Sequence, residues 1–126
     1  MACDEFMIEF ETYVHETEDI NKVIERVLKI FPFKNRIKKK KVPGSYKTEI
    51  IILSGKADKK DESKVISLLN KIDNKQILEP IKKRIEKNTL FLRINKQTMK
   101  FEDVDDCILI KIMSKNLENV AKSILG

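Results

Sequence analysis

Hydrophobic and polar residues alternate in several short stretches of the chain, and this pattern predicts β-strands. Over residues 7–14, every second position is Ile, Phe, Thr or Val, and Glu or Tyr stands between them. Residues 88–97 repeat the alternation, with Leu, Leu and Ile on one side. Residues 48–54 and 107–112 are more continuously apolar, as expected for strands near the centre of a sheet. The alternating stretches therefore have one side suited to a core and one suited to solvent.

Apolar residues spaced three or four apart predict helices between these strands. The clearest run extends from Ile20 to Phe31, with Thr17 as the expected N-cap and Pro32 as its end. Two further helical stretches are expected, one at residues 62–72 and one at residues 77–87. The second has Pro80 near its first turn, and the two would form an antiparallel pair or one bent unit. A closing helix follows the last strand.

The order of these elements predicts an α+β fold, an antiparallel or mixed sheet of four to five strands with helices packed on one face. Residues 33–42 leave two alternatives open, a short exposed edge strand or an ordered loop, and a turn is predicted at residues 43–46. We expect residues 1–126 to form a single domain. Residues 1–6 precede a second methionine, so either Met7 is an alternative start or these residues are a non-native or disordered leader.

The positive charge of the chain is concentrated in two segments. With 26 basic and 20 acidic residues, the formal charge is +6, which permits nucleic acid or an anionic membrane as a partner. Residues 34–47 contain seven basic residues and no acid, and residues 82–100 contain seven basic residues and one acid. The rest of the chain is net acidic. If folding joins the two segments, they form one basic face on an otherwise acidic protein.

The sequence shows no signal for export across a membrane or for insertion into one. No stretch is apolar for long enough to cross a bilayer, and no charged-then-apolar leader begins the chain. We therefore expect a cytoplasmic protein without a membrane partner.

Few residues are suited to catalysis or metal binding. The cysteines, Cys3 and Cys107, lack the spacing of metal ligands, and Cys107 is expected to be a small buried hydrophobe. His15 is expected to make a local hydrogen bond. The acidic residues at 102–106 are hard-cation ligands by type, but they lack the pattern of a calcium loop, which favours a solvated hairpin turn. We predict a protein that is not an enzyme and that needs no metal or cofactor.

Three short motifs resemble a small archaeal family described as a predicted exosome subunit or RNA-binding domain. They are His15-x-Thr17-Glu18-Asp19, the turn Gly44-x-Tyr46, and the late strand Leu90-Phe91-Leu92-Arg93-Ile94-Asn95-Lys96-Gln97. The fold of that family is similar to the large-subunit ribosomal protein that contacts 5S rRNA. The family often has a further Gly or Asn after the glycine-tyrosine turn, which this chain lacks. The resemblance implies an α+β fold and RNA binding.

The candidate RNA contacts are donors in the first basic segment and at the end of the late strand. Guanidinium, ammonium and amide groups donate to phosphate oxygens or base edges. Aromatic residues are only 6% of the chain, which favours the phosphate backbone of structured RNA over stacking on unpaired bases. The predicted RNA-binding residues are Arg36, Lys38, Lys39, Lys40, Lys41, Tyr46, Lys47, Arg93, Asn95, Lys96 and Gln97.

Several alternatives to one RNA-binding face stay open. The run Lys38–Lys41 also suits a solvated edge strand that is protected from aggregation. A basic face can equally meet an acidic protein partner, in an RNA-processing complex or elsewhere, and the Ile-rich sheet edge can form a homodimer. The finer role that the resemblance implies is that of an accessory to RNA processing or the exosome.

Overall fold

A computed structural model describes residues 6–44 and 48–126. Within those residues the chain forms six strands and three α-helices. In order along the chain these are β1 (Phe6–Val14), α1 (Ile20–Leu28), β2 (Lys38–Pro43), β3 (Glu49–Asp58), α2 (Glu62–Asn70), β4 (Ile85–Glu86), β5 (Thr89–Asn95), β6 (Cys107–Ser114) and α3 (Leu117–Leu125). Ser45 and Tyr46 of the expected turn, and the predicted contact Lys47, lie outside the described residues.

The six strands form one sheet in the order β2-β3-β1-β6-β5-β4, and neighbouring strands are antiparallel. The first and last strands of the chain, β1 and β6, are therefore the central pair. Strands in a sheet lie about 4.8 Å apart, so the sheet measures about 24 Å from the β2 edge to the β4 edge.

Only one face of the sheet is covered. The three helices and alternate residues of the strands share a single hydrophobic cluster, which includes Phe10, Leu53, Leu92 and Ile110. The opposite side, which we call the open face, has no helix against it among the described elements. It carries Met7, Glu9, Glu11 and Tyr13 of β1, Lys38 and Lys40 of β2, Ser54 and Lys56 of β3, Phe91 and Arg93 of β5, and Leu109, Lys111 and Met113 of β6.

The prediction of four to five strands is wrong because a sixth strand, β4, lies where a helix was expected. The apolar spacing at residues 77–85 imitates a helix, but the chain there forms two short 3₁₀ turns separated by Pro80. The Arg84 guanidinium donates to the carbonyls of Ile77 and Leu78, which holds the turns together. Lys87 and Asn88, both with positive φ, then reverse the chain in a two-residue hairpin loop between β4 and β5.

Other boundaries differ in smaller ways. The N-cap of α1 is Asp19, whose side chain accepts from the Asn21 N–H, and not Thr17. Residues 38–43 form the exposed edge strand, which decides between the two alternatives for the basic segment. The helix predicted to reach Phe31 ends at Leu28, although Phe31 is buried as expected.

Replacing Gly55 by valine should destabilise the fold by about 2 kcal/mol, because an overpacked core forces buried side chains apart. A Cβ at this position would lie 2.6 Å from the ring of Phe10 and 2.8 Å from the ring of Phe31. These rings pack on each other with centroids 4.8 Å apart, so neither ring can move aside to make room for the new side chain. The check is urea unfolding. Ser54→Val, on the open face of the same strand, is the control and should leave the free energy of unfolding nearly unchanged; equal losses would contradict the packing argument.

Candidate nucleic-acid interface

The four lysines of β2 form an exposed row along one edge of the sheet. All of Lys38–Lys41 are exposed. Their register with β3 places Lys38 and Lys40 on the open face and Lys39 and Lys41 on the helix side, so the ammonium groups spread to both sides of the edge. None of them has an ion pair with another residue in the part of the chain that the structure describes. The row is an uncompensated block of positive charge.

Three of the seven basic residues of the second segment, Arg84, Arg93 and Lys96, pair with the acidic turn at residues 102–106. Arg84 makes a two-pronged contact with Asp103 at 2.7 and 2.8 Å. Arg93 lies 3.5 Å from Asp105. Asn95 donates to Glu102 at 2.8 Å, and Lys96 contacts Asp106 at 2.8 Å. The turn that was expected to be merely solvated therefore holds the donors of β5 and its neighbours. The signal was in the sequence, since these acids begin two residues after the basic segment ends.

Lys96 is a buried structural residue. Its side chain is only 1% exposed, and its Nζ donates to the Tyr13 carbonyl at 2.7 Å and to Glu18 at 2.9 Å. Together with Asp106, these groups surround the ammonium with three acceptors. The cluster joins the end of β1, the entry to α1 and the connection from β5 to β6. Its ammonium is not available to a phosphate.

Other predicted contact residues differ in how free they are. The Asn95 amide is engaged at both ends, because its oxygen accepts from the backbone N–H groups of Gln97 and Thr98 and its nitrogen donates to Glu102. Arg36 donates to Asp61 at 2.6 Å and lies over the ring of Phe33, yet its side chain stays 38% exposed. Gln97 is exposed. Tyr46 and Lys47, also predicted, lie outside the described residues.

Basic residues from both segments line depressions on the open face. A cavity of about 460 Å³ is bordered by Arg36, Lys38, Lys56 and Lys111. A second depression toward β4 is bordered by Lys83, Arg93 and again Lys111. Lys111 thus links the β2 side of the sheet to the β4 side.

Sequence reasoning missed three residues of the open face. Lys56 and Lys111 lie outside the two basic segments, and only the alternation along β3 and β6 points to their side of the sheet. Tyr13 was placed on the wet side of its strand but was not considered as a contact, and it is 46% exposed. Phe91 lies on the same face and is half-buried.

Three carboxyl groups have lowered pKa values because of these contacts. The hydrogen bond from Arg84 holds the pKa of Asp103 below its usual range, and that from Arg36 does the same for Asp61. Burial by itself would raise the pKa of Asp106, but the hydrogen bond and charge of Lys96, with those of His15, outweigh it and lower the pKa. Burial raises the pKa of the Cys107 thiol, as expected for an apolar site.

A metal ion has little room in the acidic cluster. Ligand atoms of His15, Glu18 and Asp106 lie within 4.8 Å of one another. The Lys96 ammonium, however, contacts both carboxylates and supplies the positive charge that a cation would bring. The His15 Nε2 donates to the Asp106 carboxylate at 3.2 Å, a contact between residues far apart in the chain and not the local hydrogen bond that was expected. In the described parts of the chain, no helix has the length and apolar character needed to span a membrane.

The sequence and the fold match known proteins. A family model described as RNA binding matches residues 7–114. A DUF54 protein of Methanothermobacter thermautotrophicus is 22% identical with a TM-score of 0.77, covering 96% of this chain and 98% of that one. A DUF54 protein of Sulfolobus solfataricus is 26% identical with a TM-score of 0.73, covering 94% and 93%. A UPF0201 protein of Methanococcus jannaschii is 24% identical with a TM-score of 0.62, covering 94% and 95%. No curated protein matches the sequence.

Replacing Lys96 by methionine should lower the free energy of unfolding by about 2 kcal/mol, because two carboxylates lose their buried partner. The loss is smaller than for fully buried pairs, since Asp106 is half exposed. Urea unfolding at neutral pH measures it. Lys100→Met, at an exposed position of the same turn, is the control. Equal stability of the Lys96 variant and the parent would show that the cluster does not stabilise the fold.

Stability should fall in acid as the paired carboxylates become protonated. The pKa values of Asp61, Asp103 and Asp106 are lower in the folded protein, so the unfolded state binds more protons. Their stabilisation is therefore fully present above about pH 4 and is lost as the pH falls through the folded pKa values. Thermal unfolding from neutral pH downward measures this. Asp103→Asn should differ from the parent at neutral pH and converge with it in acid. Asp105→Asn, at a fully exposed carboxylate, should follow the parent throughout.

Proposed function

This chain belongs to the family whose model is described as RNA binding, and from that premise we propose that it is a non-catalytic protein that contacts the phosphate backbone of structured RNA through a basic face. The proposal is supported above all by the row of exposed lysines on β2, which form no ion pair with residues 6–44 or 48–126. Lysines that neutralise phosphates release counterions, which gives affinity for RNA of any sequence.

The open face extends this contact surface beyond the β2 edge. The two depressions next to Lys111 are bordered by seven basic residues and three acidic ones. A polyanion that crosses the sheet from β2 toward β4 would meet Lys38, Lys111 and Lys83 in turn. The width of about 24 Å allows several phosphates to be contacted at once.

The predicted contacts are revised by what their side chains already do. Lys38–Lys41 are the main proposed contacts, and Arg36, Arg93 and Gln97 are further candidates. Arg93 and Gln97 lie on and just after β5, which is separated from β2 by three strands. Lys96 and Asn95 are left out, because their donors are held by acceptors within the protein. Tyr46 and Lys47 stay in the proposed set on the sequence alone.

A finer role rests on the resemblance of the motifs. We propose that the protein is an accessory in RNA processing, with the exosome as its complex. If the basic face instead meets an acidic protein, the partner should remain bound after nuclease treatment. A homodimer through the Ile-rich strand is not proposed, because that strand, β3, lies between β2 and β1 and is not an edge of the sheet.

Changing Lys39 and Lys40 to glutamate should weaken binding to an RNA hairpin by more than tenfold at low salt. Each lysine that contacts a phosphate adds about one unit to the slope of log affinity against log salt, so the slope should fall by about two. The melting temperature should change little, because both positions are exposed. Fluorescence anisotropy over a salt series measures both quantities.

The control for this variant is Lys22→Glu with Lys122→Glu. These lysines are exposed on α1 and α3, on the covered side of the sheet, and the net charge changes by the same amount. The control should retain most of the affinity of the parent. Equal weakening of both double variants would show that overall charge, and not the β2 edge, attracts the RNA.

A further inference from the structure

Two carboxylates lie among the basic residues of the open face, where a surface for phosphates would be expected to have none. Glu9 and Glu11 are neighbours on the same side of β1, the central strand, and both border the cavity of about 460 Å³. Like charges repel, so each carboxylate opposes the approach of a phosphate. Their surroundings show that the two are not equivalent.

Glu9 is compensated by lysines on both sides. In the sheet register it lies opposite Lys56 of β3 and Lys111 of β6. The Glu9 Oε1 is 3.6 Å from the Lys56 Nζ. Its charge is therefore balanced within the protein, and it helps to hold Lys56 in place.

Glu11 has no such compensation. It lies opposite Ser54 and Leu109, neither of which carries a charge. Over residues 6–44 and 48–126, no side chain pairs with its carboxylate through a hydrogen bond or an ion pair. Glu11 is half-buried and borders two cavities at once, the one toward Lys56 and the one toward Arg93 and Tyr13. Glu11 is therefore a hydrogen-bond acceptor near the middle of the open face, and the described residues provide no donor for it.

A carboxylate can only accept hydrogen bonds, so a ligand group that meets Glu11 must be a donor. Phosphate oxygens are acceptors and cannot serve. The uncharged donors of a nucleotide are the ribose 2′-hydroxyl, the exocyclic amines of the bases and the ring N–H groups of unpaired uracil or guanine. We propose that Glu11 accepts a hydrogen bond from one of these donors and so gives the phosphate-binding face a preference among nucleic acids. The inference rests on the proposed function and adds a specificity-determining residue to it.

The test compares two matched variants, Glu11→Leu and Glu9→Leu. Each removes one negative charge from the same strand and the same face. Binding is measured for four hairpins with identical stem sequences, made as RNA or as DNA, with loops of cytidine or of uridine. Cytidine has an exocyclic amine but no ring N–H, uridine has a ring N–H but no exocyclic amine, and DNA has no 2′-hydroxyl. Melting temperatures confirm that both variants are folded.

The parent protein should prefer some hairpins by about tenfold, which corresponds to one hydrogen bond to a charged group. A preference for RNA with either loop identifies the 2′-hydroxyl, a preference for cytidine in either backbone identifies the amine, and a preference for uridine in either backbone identifies the ring N–H. Glu11→Leu should abolish the preference, whereas Glu9→Leu should retain it while binding all four hairpins more tightly. If both variants tighten all four hairpins by the same factor, or if the parent has no preference, the role of Glu11 is overturned.

The outcome also separates this inference from the proposed function. If binding depends on salt and on Lys39 and Lys40 but not selectively on Glu11, only the role of Glu11 fails. If no hairpin binds in a salt-dependent manner, the RNA-binding proposal itself fails.

Discussion

The structure depends on one constraint: helices cover a single face of the antiparallel sheet. Side chains alternate between the two faces of a strand, so every second residue of β1, β3, β5 and β6 is committed to the core, and the intervening ones are left for other uses. A register shift of one residue would exchange the two sets. The same constraint that buries Phe10 and Leu92 therefore determines which charged residues share the open face.

Charge pairing then decides which of those residues can meet a ligand. The two basic segments look alike when their charges are counted, yet they differ after folding. The connection between β5 and β6 folds back with an acidic residue for nearly every donor near it, whereas the edge strand β2 has no acidic neighbour in ion-pair contact among the described residues. Basic residues that pair with carboxylates of the protein stabilise the fold. The lysines of β2 instead produce a positive potential that attracts an anionic ligand.

The sequence was most informative where a periodic pattern was long. β1, β5, β6, α1 and α3 were all expected from alternation or from apolar stripes, because their packing follows the local pattern. Residues 77–86 were misassigned because the contact that shapes them, from Arg84 to two carbonyls and to Asp103, is a tertiary feature. Lys96 was misread for the same reason. Its partners Tyr13 and Glu18 are distant in sequence, and no local pattern shows that an ammonium is buried between them.

The pairing of β1 with β6 also bears on how the protein is made. More than 90 residues separate the end of β1 from the start of β6, so the central strand pair joins the two ends of the chain. At translation rates of about 5–20 residues per second, β1 waits for roughly 5–20 s before its partner is synthesised. During that time one side of β1 can pair only with β3, and its other backbone edge is unprotected on the ribosome. A nascent chain of this topology has a reason to engage a chaperone early.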